Sequence, residues 1–427
     1  MAEIRPLQAL RYDVDRVGSL GAVVAPPYDV IDDALRAQLA AKSAFNVVEI
    51  DLPRPQVGGS PEGDGSDPYL HARTLFERWR AEGVLVRDRE PSLWVMTQQY
   101  TGPDGVTQMR HGFFCRVRVE EYGAGRIRPH ERTHPGPKED RLRLTRATRA
   151  NLSPIFSLYD DPDGVAWAAL EPATAGEPMA TVVDADDTTH RLWQVADPEA
   201  IAAVTRELAT RELLIADGHH RYETARVYAE ERGGEGDHRY VLMFLCSLSD
   251  SGLTIFPTHR LLSELDEPKK LALRETLLRD FDVERIEADA LQPTAAEPGI
   301  AFGYIDSFHQ QAFRVTLKDQ AIADAALPDK PDAYRRLDTA VLEAIVLRGA
   351  LGMTEDDIAH MRGLAYSKSF DDALDAIKTS RHDAAFFMRP TPVDQVREVA
   401  ETGESMPPKS TFFFPKIPTG MVFNTLD

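Results

Sequence analysis

The stretch LLIADGHHR, residues 213–221, joins a short apolar run to a polar turn. Four consecutive apolar residues predict a buried strand, and Gly218 predicts a turn that allows positive φ or close backbone approach. Tyr222 and Ala225 then fall on one helical face, which predicts a helix that stops at Gly233. We therefore expect a mixed α/β (α+β) fold with this strand–turn–helix unit at its core.

The start of this helix is a candidate anion site. Its first backbone N–H groups have no partner within the helix and lie at the positive end of the helix dipole. Asp217 can cap the helix or hold a metal or a hydroxyl group, and His219, His220 and Arg221 add donors at the same end. The alternative is that Asp217 is only an N-cap and that the histidines are polar surface residues.

A second stretch, from Arg126 to Arg149, is strongly basic in an acidic chain. It carries eight basic and three acidic residues, a local charge of +5, whereas the whole chain has a net charge of −20. Its proline-rich opening predicts a loop, followed by a helix from Lys138 to Ala150 with Asn151 as its C-terminal cap. This concentration indicates a site for a compact anion; the alternative is a solvated helix face paired with acidic neighbours.

These two stretches supply most of the candidate site residues. The candidate catalytic groups are Glu131, Asp217 and His219. Glu131, the one carboxylate in the basic loop, or Asp217 would be a general base or Mg²⁺ ligand, and His219 would stabilise charge that develops during transfer. His259 belongs to a strand-end pair, His259-Arg260, for which a plain polar cluster is the alternative. The candidate nucleotide ligands are Gly218, His220, Arg221, Arg132, His134, Lys138, Arg141 and His259.

The segment from His130 to His134 matches the zinc pattern H-E-x-x-H. That chemistry needs both imidazoles on one face of a helix. Pro129 precedes the segment and Pro135 follows it, and a residue before proline is pushed out of the helical region. We therefore predict no metal ligands here, and a metal-dependent hydrolase is kept as an alternative.

Length and composition set the broad class of the protein. A chain of 427 residues is long enough for two or three domains, and we place them at 1–263 and 264–427. The only cysteines, Cys115 and Cys246, lie in apolar runs and indicate a reducing compartment. No signal peptide is visible and the longest apolar run is too short to span a bilayer, so we expect a soluble, cytoplasmic protein without a membrane partner. The acidic charge also argues against nucleic acid as a partner.

The remaining pattern predicts further hairpins, helices and strands. One hairpin joins Leu93–Thr101 to Val106–Val119, and a second joins Val241–Leu248 to Leu253–Phe256. The tail from Met406 to Gly420 is too proline-rich for regular structure, although its three phenylalanines are expected to be buried. In the second domain, helices at 269–278, 337–347, 370–379 and 393–402 alternate with strands at 300–305, 312–317 and 384–388.

Several long motifs resemble those of a known family. RPLQALRYD, VVAPPYDVI, FNVVEIDLP, HERTHPGPKEDRL, LLIADGHHRYETA, PTHRLL and MPPKSTFFFPK are similar to motifs of an uncharacterised bacterial and archaeal family, domain-of-unknown-function family number 1015. The turn within LLIADGHHRYETA also resembles the signature of the ParB/sulfiredoxin superfamily, whose strand–turn–helix holds nucleotide phosphates. That resemblance implies use of ATP, ADP or CTP, since ParB relatives hydrolyse CTP, sulfiredoxin uses ATP, and a free-serine kinase of this fold phosphorylates serine.

Several functions fit these observations. The first is a nucleotide-dependent phosphotransferase or phosphohydrolase that acts on a small polar metabolite with Mg²⁺, the cations stabilising charge that develops during transfer. The second is a non-catalytic nucleotide-sensing module, which predicts binding without turnover. A metal-dependent hydrolase is a further alternative, and a DNA-binding role is disfavoured by the charge.

Overall fold

The computed structural model describes residues 2–54, 67–102, 105–123, 126–131 and 135–427, with the backbone alone for 135–137. The strands are β1 (Ile4–Arg5), β2 (Leu10–Tyr12), β3 (Leu85–Arg87), β4 (Leu93–Thr101), β5 (Thr107–Arg118), β6 (Ile127–Arg128), β7 (Ala150–Asn151), β8 (Ile155–Tyr159), β9 (Ala180–Val183), β10 (Thr189–Val195), β11 (Leu213–Asp217), β12 (Tyr240–Ser247), β13 (Thr254–Phe256), β14 (His259–Leu262), β15 (Phe281–Arg285), β16 (Ala301–Asp306), β17 (Phe313–Leu317), β18 (Leu364–Ser367), β19 (Ala384–Phe387), β20 (Phe412–Phe414) and β21 (Asn424–Thr425).

The helices are α1 (Val14–Val17), α2 (Leu20–Val23), α3 (Asp33–Lys42), α4 (Val48–Asp51), α5 (Pro68–Ala81), α6 (Pro135–Thr148), α7 (Val165–Leu170), α8 (Pro198–Leu208), α9 (His219–Arg232), α10 (Glu267–Asp280), α11 (Gln320–Ala326), α12 (Asp332–Arg335), α13 (Asp338–Val341), α14 (Glu355–Ala359), α15 (Phe370–Lys378) and α16 (Val393–Glu401). A wider, π-type helical segment, Leu342–Ala350, follows α13 directly.

The chain forms two compact units. The first unit contains Met1–Pro129, Thr133–Thr254 and Pro415–Asp427, and the second contains His130–Arg132 and Ile255–Phe414. The last thirteen residues therefore pack with the first unit, although the sequence places them at the end of the second. The predicted domains, 1–263 and 264–427, are continuous in sequence, and the second of them contains these thirteen residues.

A mixed sheet forms the centre of the first unit. Within the described residues it has nine strands in the order β6-β11-β8-β12-β5-β4-β10-β9, and β1 pairs with β5. β11 runs parallel to β6 and antiparallel to β8, and β8 runs parallel to β12. The remaining pairs are antiparallel, so the sheet is neither purely parallel nor purely antiparallel.

Strand β11 ends where α9 begins, as the sequence predicts. Leu213 and Ile215 are fully buried in the same core cluster as Tyr222 and Ala225 of α9. The strand and the helix are thus fixed to one another by apolar packing on both sides of Gly218, which holds the turn between them in place.

The second unit contains a six-stranded antiparallel sheet in the order β15-β17-β16-β19-β14-β18. Among the described residues of this unit, one apolar cluster includes Leu273 of α10 with Phe302, and another includes Ile377 of α15 with Ile305. Phe302 and Ile305 differ by an odd number of positions along β16, so the clusters lie on opposite faces of the sheet. The predicted helices and strands of this region are confirmed in kind.

The predicted first hairpin is confirmed and the second is wrong. β4 and β5 pair directly, from Thr101 with Thr107 to Trp94 with Phe114. β12 instead pairs with β5 and β8, and β13 pairs with β20. The turn residues after Ser247 are compatible with a hairpin of β12 and β13. The strand that pairs with β13 is instead β20, which lies more than 150 residues further along the chain.

The basic helix also differs from its prediction in its bounds. α6 begins at Pro135, where prolines in a first turn lose only N–H groups that have no helical partner. The chain leaves the helix at Arg149, which has a φ of +48°. Asn151 is not a C-terminal cap, because β7 pairs with β21.

The expectation that the tail lacks regular structure is wrong in part. Phe412–Phe414 forms β20, in which Phe413 is buried and its two neighbours are half-buried. The expectation that all three phenylalanines are buried is therefore met by Phe413 alone.

Both cysteines are buried, as predicted, and burial raises the pKa of each thiol. Among the described helices, none has the length and apolar character needed to cross a membrane.

Candidate functional site

The turn between β11 and α9 depends on Gly218. This residue has a φ of +95°, and a Cβ atom built on it would lie 3.0 Å from the guanidinium carbon of Arg221. A side chain at this position would therefore suffer both backbone strain and a contact that Arg221 must relieve. Within the described residues, no side chain caps the N-terminus of α9, a helix of 14 residues. The positive end of its dipole is thus not neutralised by a cap.

Asp217 joins two cations at this turn. Its Oδ2 accepts a hydrogen bond from Nη2 of Arg221 at 2.8 Å, and its Oδ1 accepts one from Nζ of Lys416 at 2.9 Å. The three side chains are only 8 to 16% exposed. Burial by itself would raise the pKa of Asp217, but Lys416 and Arg221 hold it well below its ordinary value. Asp217 is therefore an ionised carboxylate with both oxygens engaged.

Arg221 is held in place by three groups. Nη1 donates to the carbonyl oxygen of Pro154, Nη2 donates to Asp217, and the guanidinium lies against Gly218. Its Nε is buried and, in the described part of the chain, has no hydrogen-bond partner. A buried donor without a partner carries a desolvation cost, so this guanidinium retains the capacity for one more acceptor.

Helix α6 packs against α9, so the two stretches that the sequence analysis brings together do meet. Thr224 of α9 donates to the carbonyl oxygen of Lys138 at 3.5 Å, and Nε of Arg146 donates to Glu231 at 3.0 Å. Leu142 and Tyr228 are buried together with Leu426 of the C-terminal segment. The two helices therefore run side by side, with Lys138 beside the second turn of α9 and Arg146 beside its last turn.

The cations of the basic segment are mostly neutralised. Five of its arginines pair with carboxylates, so the excess of +5 does not act as one positive surface. The alternative of a solvated helix face paired with acidic neighbours therefore holds for Arg143 and Arg146, the exposed members on α6. Lys138 and Arg149 differ, since neither has an ion-pair partner among the described residues. The pairs are Arg126–Glu120, Arg128–Glu212, Arg141–Asp51, Arg143–Asp67 and Arg146–Glu231.

Arg141 is the buried member of this group. Its Nη1 donates to the backbone oxygen of Asp51 at 2.8 Å and to the carboxylate at 3.2 Å, and its guanidinium lies 4.3 Å from the ring centre of Tyr28. Burial raises the pKa of Asp51, and Arg141 opposes that rise. These groups, with Ser153 and Arg221, line a cavity of about 40 Å³. Such a volume holds a few water molecules and is too small for a nucleotide.

The two predicted histidines of the turn differ in exposure. His219 is 6% exposed and belongs to the buried surface of α9, whereas His220 is half-buried. His219 also lies close enough to Asp217 to help keep that carboxylate ionised. Both therefore lie at the helix start, as the sequence predicts, and their proposed roles toward a ligand stay predictions.

Other predicted site residues lie elsewhere or outside the described residues. Arg132 and His134 fall outside them, and with them the H-E-x-x-H pattern. Glu131 belongs to the second unit, where its backbone bridges to Met406. In the parts of the chain that the structure describes, no group of three or more histidine, cysteine, aspartate or glutamate residues is arranged to hold a metal ion.

His259 is a core residue of the second unit. It is fully buried, its Nδ1 accepts the backbone N–H of Met388 at 3.1 Å, and its ring lies 4.8 Å from that of Phe387. Burial, helped by the neighbouring Arg260, lowers the pKa of His259 to about 4. The imidazole is therefore neutral near pH 7 and brings no positive charge to a phosphate.

Three residues that the structure places beside this turn are not among the predicted site residues: Lys416, Asp51 and Ser153. Lys416 is the last residue of the motif MPPKSTFFFPK, and Asp51 belongs to FNVVEIDLP, so both lie in stretches already recognised as distinctive. The signal was present, but nothing local connected either stretch to residue 217. Ser153 carries no such signal.

The chain belongs to a protein family described as a protein of unknown function (DUF1015), whose family model matches residues 4–340. No curated protein matches the chain at significant similarity.

Solved structures show a more distant likeness. A conserved hypothetical protein from Pyrococcus furiosus is 15% identical, covering 73% of this chain and 94% of its own, with a TM-score of 0.37. A free serine kinase in complex with AMP is 12% identical, covering 74% and 91%, with a TM-score of 0.38. SbnI with a C-terminal truncation, from Staphylococcus aureus, is 10% identical, covering 72% of this chain and 86% of the truncated one, with a TM-score of 0.36.

Proposed function

We propose that this protein is a nucleotide-dependent phosphotransferase or phosphohydrolase that acts on a small polar metabolite. The observation that carries the proposal is the uncapped start of α9, where Gly218 opens the helix and the buried Nε of Arg221 has no hydrogen-bond partner among the described residues. A helix N-terminus of this kind favours anions through its dipole and its N–H groups, and phosphate oxygens suit a guanidinium that still has a donor to offer.

The proposed phosphate ligands are the backbone at Gly218, the side chains of His220 and Arg221, and Lys138 in the neighbouring first turn of α6. Lys138 supports the proposal because its charge is not already neutralised by a carboxylate in the described residues. Arg132, His134, Arg141 and His259 stay predicted ligands from the sequence. Of these, Arg141 is less suited because Asp140 and Asp51 engage its Nε, Nη1 and Nη2, whereas Arg221 keeps a buried Nε without a partner among the described residues. His259 is less suited because it is a neutral core residue.

The roles of the acidic groups follow from their partners. Asp217 has each oxygen bound by a cation, so it is a poor general base and does not fit a Mg²⁺ ligand without losing Lys416 or Arg221. We infer that it holds the two cations where phosphate charge develops. Glu131 stays the base or Mg²⁺ ligand predicted from the sequence, and at the turn itself His219 is the proposed group for proton transfer. When bound, Mg²⁺ would neutralise charge on the nucleotide phosphates.

The test is a thermal-shift screen with ATP, ADP, CTP and GTP, with and without Mg²⁺. A ligand that binds only the folded state raises the melting temperature, by an amount that grows with its concentration. We expect at least one nucleotide to give a shift in the wild-type protein and Arg221→Ala to abolish it. The matched control is Arg146→Ala, which removes an exposed pair on the adjacent helix and should leave the shift intact. A nucleotide shift that survives Arg221→Ala would exclude Arg221 from the phosphate site.

A second candidate is a nucleotide-sensing module that binds without turnover. The full engagement of Asp217 favours it, since the turn then offers no unoccupied carboxylate of its own for proton transfer. Multiple-turnover release of phosphate or transfer to a metabolite would support the enzyme, whereas tight binding with no product after many hours would support the sensor.

A further inference from the structure

A fully buried arginine, Arg110, lies on β5 of the first unit. Its Nε donates to Oε1 of Gln98 at 3.0 Å, and its guanidinium carbon lies 4.6 Å from the ring centre of Phe156. In the described part of the chain it has no carboxylate partner, and its Nη1 has no hydrogen-bond partner. A buried charge of this kind is costly, and an apolar side chain of similar size would often be tolerated better. Its presence needs a reason beyond filling space.

Arg110 is the first member of a polar row across three strands. Gln98 of β4 is its direct cross-strand neighbour, and His190 of β10 is the next. Since Oε1 of Gln98 accepts from Arg110, its Nε2 is the donor to Nδ1 of His190, at 3.1 Å. Nε2 of His190 then donates to Asp184 at 2.8 Å. The row thus fixes the orientation of the Gln98 amide from both sides.

The guanidinium of Arg110 and the amide of Gln98 both donate hydrogen bonds to the backbone of the C-terminal segment. Nη2 of Arg110 donates to the carbonyl oxygen of Pro415, and Nε2 of Gln98 donates to that of Lys416 at 3.1 Å. Two consecutive carbonyl groups are therefore held by side chains from neighbouring strands. From this held backbone, the Lys416 side chain reaches Asp217, where Nζ lies 2.9 Å from Oδ1.

We propose that Arg110 is a positioning residue that, together with Gln98, holds residues 415–416 so that the Lys416 ammonium contacts Asp217. The geometry of this arrangement stands on its own, and only its consequence for a nucleotide rests on the proposed function. The last thirteen residues pack with the first unit. The ion pair between Lys416 and Asp217 therefore depends on the packing of this C-terminal segment, which Arg110 and Gln98 hold at residues 415–416.

The direct test is acylation of lysines in the full-length protein with N-hydroxysuccinimidyl acetate, followed by mass spectrometry. In the wild-type protein, the ion pair with Asp217 protects Lys416. Arg110→Met removes the charge-assisted hydrogen bonds to Gln98 and to the carbonyl oxygen of Pro415, so Lys416 should react roughly tenfold faster. Lys409, which is exposed, is the internal reference. The matched control is Arg116→Met on the same strand, which removes a half-buried pair with Asp237 and should leave the rate at Lys416 unchanged.

A second variant keeps the test decisive if Arg110→Met does not fold. Arg110→Lys keeps the charge but cannot donate to Gln98 and Pro415 through one planar group, so we expect an intermediate rate at Lys416. Unchanged acylation of Lys416 in a folded variant of either kind would overturn the proposal. A rise at every lysine alike would also overturn it, because that would be general loosening of the fold.

Nucleotide binding separates this inference from the proposed function. If Arg110 acts through Lys416, Arg110→Met should reduce the nucleotide-induced rise in melting temperature. The double variant Arg110→Met with Lys416→Met should then show the same rise as Lys416→Met alone. Additive losses would contradict positioning through Lys416. A wild-type protein that binds no nucleotide, but in which Arg110→Met still exposes Lys416, would end the proposed function and leave the positioning role supported.

Discussion

Helix α6 and the turn at Asp217 both carry several charges, but they use them differently. Arg146 and Glu231, which link α6 to α9, are 44% and 39% exposed, and the other arginine–carboxylate pairs of α6 follow the same pattern except at Arg141. The turn has fewer charges, yet Arg221 and Asp217 are 8% and 16% exposed. Water screens the first set and reaches the second poorly. Burial, more than the number of cations, decides where an anion is attracted.

The largest effect should come from Asp217→Asn, which leaves Arg221 and Lys416 buried without their shared carboxylate. We expect a loss of about 4 kcal/mol in the free energy of unfolding at pH 7, measured by urea denaturation. The pKa of Asp217 is lowered in the folded state, so its contribution is complete above the ordinary aspartate pKa and is lost as the pH falls through the lowered one. The wild-type advantage should therefore be constant near neutrality and shrink in acid. A variant as stable as the wild type at pH 7 would contradict the buried network.

A smaller effect is expected from Gly218→Ala, with Gly233→Ala as its matched control. Both glycines have positive φ, +95° at the start of α9 and +61° at its end, so both variants incur backbone strain. Only at Gly218 does the added Cβ meet a side chain, since around Gly233 the described residues leave open space. We expect losses of about 2 and about 1 kcal/mol respectively, by urea denaturation. Equal losses would mean that the Arg221 guanidinium does not lie against the turn.

The smallest effect should come from Arg146→Met on α6. The exposed pair with Glu231 is screened by solvent, so its loss should change the free energy of unfolding by less than about 0.5 kcal/mol. The measurement is the same urea denaturation. A loss comparable to that of Asp217→Asn would remove the distinction between the helix and the turn.

The parts of the fold that follow from neighbouring residues could be predicted from the sequence. The boundary between β11 and α9 was predictable because an apolar run, Gly218 and a helical pattern follow one another directly. The pairing of β13 with β20 was not, because nothing near Thr254 indicates a partner at Phe412. The same limit applies to the site. The α9 turn could be found from its own residues, whereas its contact with Lys416 joins positions 199 apart.

The ion pairs of the basic segment could not be predicted from the sequence either. The sequence gives its local excess of cations correctly, but their partners, such as Glu212 and Asp51, come from other strands and helices. An ion pair between distant positions leaves no periodic pattern behind, so paired and unpaired arginines look alike in the sequence. Lys138 could be told apart from them only in the folded structure.

The central claim is that the start of α9 binds the phosphates of a nucleotide, and isothermal titration of ADP and of adenosine into the wild-type protein tests it most directly. The two ligands share the base and the sugar, so their difference reports the phosphates alone. We expect that ADP binds and adenosine does not, and that added salt weakens the binding of ADP. Equal affinity for both ligands, or binding of ADP that is unchanged in Arg221→Ala, would contradict it.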